Sequence, residues 1–143
     1  NIQTVFSCAH KHNCICYDSL VIVSSKEAEL CKYVRNSFLA LKVSFCNEIN
    51  KFCDKKAIDY NSVRNLLCLD PRITDSHTHV PGHDGHFGYG GTCFPKDINA
   101  FMSFARSIGV DVNTIKGAWK TNITVRPERD WEELKGRAVI EEK

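Results

Sequence analysis

The 143 residues predict a mainly α-helical protein built around one long helix. Leu30, Val34, Phe38, Leu41, Phe45, Ile49 and Phe52 recur at spacings of four and three, the period of a helix face. Helix-capping residues stand where such segments begin: Ser24 paired with Glu27, then Asp59, then Asp111. The run Gly88-Tyr89-Gly90-Gly91-Thr92-Cys93-Phe94-Pro95-Lys96-Asp97 carries a glycine loop into another helix start, with Pro95 suited to the first turn.

Residues 1–23 hold short β-like runs, notably Leu20-Val21-Ile22-Val23, which suit the last strand and linker of a preceding domain. Cys8, His10, His12, Cys14 and Cys16 alternate there, and on a strand they would place five soft ligands on one face. Their spacing matches no common zinc module, so a drifting N-terminal segment is preferred over a metal site. Ser24 and Glu27 form a capping box that opens a helix of roughly 30 residues along the apolar stripe. Leu39, Val43 and Cys46 give this helix a second apolar flank, more than the following short helices can cover. A shorter helix is expected over residues 60–68, capped by Asp59 and ending near Asp70-Pro71. His77, His79, His83 and His86 lie among Pro81, Gly82, Asp84 and Gly85, which reads as an exposed, turn-rich connection rather than a metal centre. A helix over 95–108 is stopped by Gly109, and Asp111 caps another over 112–121. From Thr124 an extended polar tail is expected, anchored by Trp131.

Composition narrows the function classes. Hydrophobic residues at 43% and charged residues at 25% are those of a soluble globular chain of one domain's length. A net charge of +2, with no basic run interleaved with aromatics, argues against nucleic acid as partner. No apolar stretch reaches the roughly 18 residues that span a bilayer. The eight cysteines include no Cys-x-x-Cys pair and read as reduced thiols of a cytoplasmic protein. The first residue is Asn1 rather than Met, which reads as a fragment of a longer chain.

The chemistry concentrates at Cys93. A thiol at or just before a helix N-terminus meets free backbone amides and the positive end of the dipole, which favour the thiolate; Lys96 adds a cation within a turn. Asp97, four residues on, shares that face and can hydrogen-bond or handle a proton. On the long helix Lys32 and Asn36 are four apart, and an ammonium and an amide donor suit an oxyanion pocket for a tetrahedral adduct formed by Cys93. By themselves a lysine and an asparagine on a helix read as a solvated face, and a lone cysteine beside a turn reads as buried packing. Gly88-x-Gly-Gly is not a dinucleotide fingerprint, since no strand precedes it and no acidic residue follows about 20 positions on.

The run from Gly88 to Asp97 resembles the catalytic-cysteine signature of the UDP-glucose/GDP-mannose dehydrogenase family. The segment from Glu27 through Lys32, Asn36 and Val43 to Asn47-Glu48 resembles that family's long central helix. The likeness covers residues 24–119, extends more weakly along 125–139, and is poor before Ser24. It implies a central helical dimerisation domain over residues 24–122. Residues 1–23 would be the remnant of a Rossmann domain and 123–143 a C-terminal tail. The implied reaction is an NAD-dependent, two-step oxidation of the C6 alcohol of UDP-glucose or a related nucleotide sugar, through a Cys93 thiohemiacetal and thioester. In it Lys32 and Asn36 hold the oxyanion, Asp97 orients or deprotonates water, and Tyr89, Gly90 and Gly91 line the sugar and diphosphate. Arg72, in Asp70-Pro71-Arg72-Ile73, reaches the neighbouring subunit's substrate, and Lys96 lies toward the cofactor. NAD itself would be bound mainly by a domain outside these residues, and the partner would be a second copy packed through the long helix. A non-catalytic interaction module that keeps only this dimer helix is the alternative.

Overall fold

The computed structural model describes residues 1–15, 17 and 19–134. Among them are α1 (Ile2–Lys11), α2 (Ser25–Lys56), α3 (Tyr60–Leu67), α4 (Cys93–Ser107), α5 (Asn113–Val125) and a 3-10 helix (Asp130–Glu133), with no strand. They divide into two compact units, Asn1–Leu30 and the residues from Cys31 onward.

The first unit corrects the β-like reading of residues 1–23. Asn1 caps α1 by accepting the Thr4 N–H at 3.0 Å, and Leu20 to Val23 form no regular structure. A lone extended run has no neighbour for its backbone groups, so strand-like composition alone does not make a strand. The Cys/His alternation therefore shares no face. Cys8 and His10 lie two apart on a helix, His12 is its C-cap, Cys14 follows in a turn, and Cys16 is outside the described residues. No group of three or more His, Cys, Asp or Glu among the described residues is placed to hold a metal ion.

The capping box forms as expected: Ser24 N–H donates to Glu27 Oε2 at 2.8 Å, and Glu27 N–H donates to Ser24 Oγ at 3.3 Å. The Ser24 hydroxyl, which donates to Glu27 Oε2 at 2.7 Å, and then the Ser24 N–H hold the Glu27 carboxyl below its usual range. The 32 residues of α2 run about 48 Å at 1.5 Å rise each. Its orientation differs from the simplest reading of its stripe. Val34, Phe38, Phe45 and Phe52 are 47%, 66%, 50% and 58% exposed, whereas Ser37, Ala40, Ser44, Cys46, Asn47, Asn50 and Cys53 are buried. The opposite face, small and polar, is the one that packs, because it must come close to backbone. Ser44 Oγ donates to Ala118 O at 2.7 Å, and Asn47 Oδ1 accepts the Gly88 N–H at 3.1 Å.

Asp59 caps α3 through the Asn61 and Ser62 N–H groups, at 3.2 and 3.0 Å. α4 begins at Cys93, two residues before the expected Pro95. It ends in a Schellman arrangement: Gly109, at φ +72°, donates to Arg106 O, and Val110 N–H donates to Ala105 O. Asp111 does not cap α5. Val112 is the N-cap, and the Asp111 carboxylate instead accepts from Lys116 Nζ at 2.7 Å. α5 also continues through Val125, so the expected extended tail is helical where it starts and turns into the 3-10 helix around Trp131. That tryptophan is 3% exposed and packs on Trp119 with ring centroids 5.4 Å apart. Residues 135–143 of the expected tail lie outside the described residues.

Two apolar clusters lie under this framework. Ala40, Tyr89 and Ile98 form one, flanked by Val43, Phe94, Met102, Ile115 and Trp119. Cys46, Cys53, Tyr60 and Val80 form the other. Cys8, Cys14, Cys31, Cys46, Cys53, Cys68 and Cys93 are all unpaired. No described helix is long and apolar enough to cross a membrane.

Candidate active site

The glycine loop is held by side chains on its three neighbours. Asn47 of α2 accepts from Gly88; Asn122 of α5 accepts the Tyr89 N–H at 2.7 Å and donates to Tyr89 O at 2.9 Å; Asp130 accepts the Gly91 N–H at 3.0 Å. Such close approach requires glycine. A Cβ on Gly88, at φ +68°, would lie 2.4 Å from Asn122 Oδ1, and one on Gly90 would lie 2.4 Å from Asp130 Oδ1. The loop delivers Cys93 as the first residue of α4, exposed, with Thr92 Oγ1 3.8 Å from its Sγ.

Cys93, Phe94, Gly90, Gly91, His77 and Arg126 line part of one cavity of about 1110 Å³. The loop wall of this cavity is tied to α3: Arg64 Nε donates to Thr78 Oγ1 at 2.9 Å, Tyr60 Oη donates to Thr78 O at 2.6 Å, and Arg64 pairs with Asp75. The histidine loop is thus less free than its composition suggests. His77 stacks at 5.6 Å on Phe94, and burial, with the charges of Lys42 and His83, holds its imidazole below the usual range.

Lys32, Asn36 and Lys96 converge on Asp97, which is 1% exposed. Asn36 Nδ2 donates to Asp97 Oδ2 at 2.5 Å, while Lys96 Nζ and Lys32 Nζ stand 3.5 and 3.8 Å from Oδ1. Oδ1 accepts no hydrogen bond and is held by charge. This cluster does not line the cavity and joins Cys93 through the first turn of α4, on whose face Asp97 stands four residues on. Asn36 thus spends its donor on Asp97 and not beside Cys93. Tyr89 contributes backbone to the cavity and its ring to the core, where burial pushes its phenol up. Arg72 lies outside both groups: its guanidinium is exposed and pairs with Asp70 at 2.6 Å in its own turn.

The residues that sequence reasoning missed are the ones that hold the loop. Asn122, Arg126, Asp130 and Asp84 bind partners 33 to 42 positions away or within an irregular turn, and no periodicity marks them. Asn47 stood within the helix segment that resembles the family but carried no role.

Residues 26–124 match the model of the UDP-glucose/GDP-mannose dehydrogenase family, central domain. The chain belongs to the UDP-glucose/GDP-mannose dehydrogenase family. It is 38% identical over 97 residues to the UDP-glucose 6-dehydrogenase YwqF of Bacillus subtilis, covering 68% of this chain and 21% of that protein. To the UDP-glucose 6-dehydrogenase of Rhizobium meliloti it is 35% identical over 121 residues, covering 85% and 25%. A UDP-glucose dehydrogenase structure from Pyrobaculum islandicum superposes with a TM-score of 0.67 at 34% identity, over 82% of this chain and 26% of that one. The chain therefore spans about a quarter or less of the length of these relatives.

Proposed function

We propose that this chain carries the thiol chemistry of a nucleotide-sugar 6-dehydrogenase. The observation that carries the reading is an exposed Cys93 opening α4, one turn ahead of a buried Asp97 gripped by Lys32, Lys96 and Asn36. Cys93 Sγ adds to the aldehyde carbon at C6 of the sugar; the carbonyl π pair moves to oxygen, which takes a proton as the thiohemiacetal forms. Lys32, half-exposed, supplies the cation for that developing oxyanion, while Asn36 orients Asp97. Asp97 Oδ1 is the acceptor for a proton of the water that later releases the acid. Gly90 and Gly91 present backbone to the sugar and diphosphate, and the exposed Arg72 is assigned, by family resemblance, to a neighbouring subunit's substrate.

Oxidation of the adduct requires a dinucleotide acceptor, NAD by family resemblance. The described residues contain no strand, glycine turn and helix in the order that seats its pyrophosphate. The exposed stripe of α2 is read as the contact with a second copy, since an isologous helix pair covers it in both chains at once. Seven unpaired cysteines fit a reducing cytoplasm as the setting.

The test uses the aldehyde alone. UDP-gluco-hexodialdose should protect Cys93 from iodoacetamide in the wild-type chain, and Lys32→Ala should weaken that protection by about a hundredfold. Unchanged labelling of Cys93 at saturating aldehyde removes the nucleophile assignment.

A further inference from the structure

The family match ends at residue 124, yet one buried side chain that braces the glycine loop lies beyond it. Arg126 is 4% exposed and sits on the cavity wall. Its Nε donates to Asp130 Oδ1 at 2.6 Å and its Nη1 donates to Asp84 Oδ2 at 2.8 Å. Each carboxylate spends its second role on the loop backbone. Asp130 Oδ2 accepts the Gly91 N–H at 3.0 Å, and Asp84 Oδ1 accepts the His86 N–H at 3.1 Å. The Nη2 group lies against Gly90, where a Cβ would stand 2.5 Å from it. His86 Nδ1 and Glu128 Oε1, 3.1 Å apart, tie the same two segments a second time.

We propose that Arg126 is a positioning residue for Cys93: one guanidinium, through Asp130 and Asp84, fixes the loop on both sides of Gly88–Gly90 so that Cys93 enters α4 at a set place. A planar fork with several donors can bridge two carboxylates in fixed geometry, which a lysine ammonium does poorly. Arg126 is the buried member while both carboxylates are about a third exposed, so removing a carboxylate leaves a buried cation less compensated. Trp131, seated on Trp119, keeps the strap down next to Asp130. The importance given to Cys93 rests on the function proposed above; the clasp itself does not.

Amide hydrogen exchange by NMR on the full 143-residue chain reads the clasp directly. In Arg126→Met the Gly91 and His86 amides should exchange at least about tenfold faster, while Gly88 and Tyr89, held by Asn47 and Asn122, stay within about twofold. Arg126→Lys should recover only part of the protection. Asp130→Asn, whose amide keeps one acceptor oxygen in place of two, should speed Gly91 by about threefold or more and leave His86 within about twofold. Unchanged exchange at Gly91 and His86, or uniform loss at all four amides, overturns the proposal. Dialdehyde protection of Cys93 is then compared in wild type and Arg126→Lys: a weaker effect in the variant supports positioning, and an equal one overturns it. Absence of protection in wild type instead overturns the nucleophile reading, while the exchange pattern still decides the clasp.

Discussion

The two faces of α2 invert the usual relation between size and burial. The inward face is built from Ser37, Ala40, Ser44 and Asn47, and the outward one from Val34, Phe38, Phe45 and Phe52. Small polar residues go in because the helix approaches backbone: the Ala118 carbonyl accepts a hydrogen bond from this face and the Gly88 amide donates one to it. Large apolar residues stay out and form an unpartnered stripe of the kind that marks an interaction surface. The inward face is thus tied to loop geometry and the outward one to assembly, and substitutions on each should fail in different ways.

The largest effect is expected where the loop is held. Asn122→Leu removes the acceptor for the Tyr89 N–H and the donor for its C=O in a fully buried position. Leaving two backbone groups unsatisfied costs about 2–4 kcal/mol, and urea denaturation should show the midpoint falling accordingly. If the midpoint barely moves, the loop is not held by α5, and the Asn47 contact from the inward face of α2 carries it instead. On the outward face, Phe38→Glu with Phe45→Glu should leave the urea midpoint of the separated chain nearly unchanged, within about 0.5 kcal/mol per site. Sedimentation should instead shift from dimer to monomer. A monomeric wild type would break the proposed assembly and leave the stripe for another domain or partner.

This inversion shows what the sequence made legible. Helix existence and ends followed from local rules: the Ser24–Glu27 box, the Asp59 cap and the Gly109 stop all form. Which face of α2 packs did not follow from periodicity, because periodicity identifies an apolar stripe without saying whether this chain or another covers it. Asp111 failed as a cap because Lys116 offered its carboxylate a charged partner. Leu20 to Val23 failed as a strand for want of a neighbour. At the site, the two family-like segments singled out Cys93, Lys32, Asn36 and Asp97, but not that Lys32 and Asn36 gather on Asp97 rather than at Cys93, nor the Asn122, Arg126 and Asp130 supports, since these partners are distant in sequence.

A smaller effect separates the cysteines. Cys46 and Cys53 lie on the inward side of α2, and burial pushes the Cys46 thiol up, whereas Cys93 is exposed at a helix start. Iodoacetamide near neutral pH should label Cys93 first, ahead of the exposed Cys8, Cys14 and Cys31, and Cys46 among the last. Cys31 labelled as fast as Cys93 would show that exposure alone governs the rate.

The smallest effect is in the acid limb of stability. Burial pushes the Asp84 and Asp130 carboxyls up, but their hydrogen bonds to Arg126 and to the His86 and Gly91 amides outweigh it, and both end below the usual carboxylate range. A carboxyl whose folded value is depressed binds fewer protons folded than unfolded. Its stabilisation is therefore complete above about pH 4 and is lost as pH falls through the lower folded values. The charges facing the pair are Arg126 on one side and His83, His86 and Glu128 on the other. Loss of the clasp should appear below about pH 4 as a change in the fluorescence of Trp131 on Trp119, ahead of any loss of helical circular dichroism from α2. Coincident transitions would mean that the Arg126 strap and the inward face of α2 unfold as one unit, erasing at acid pH the distinction that the two faces show at neutrality.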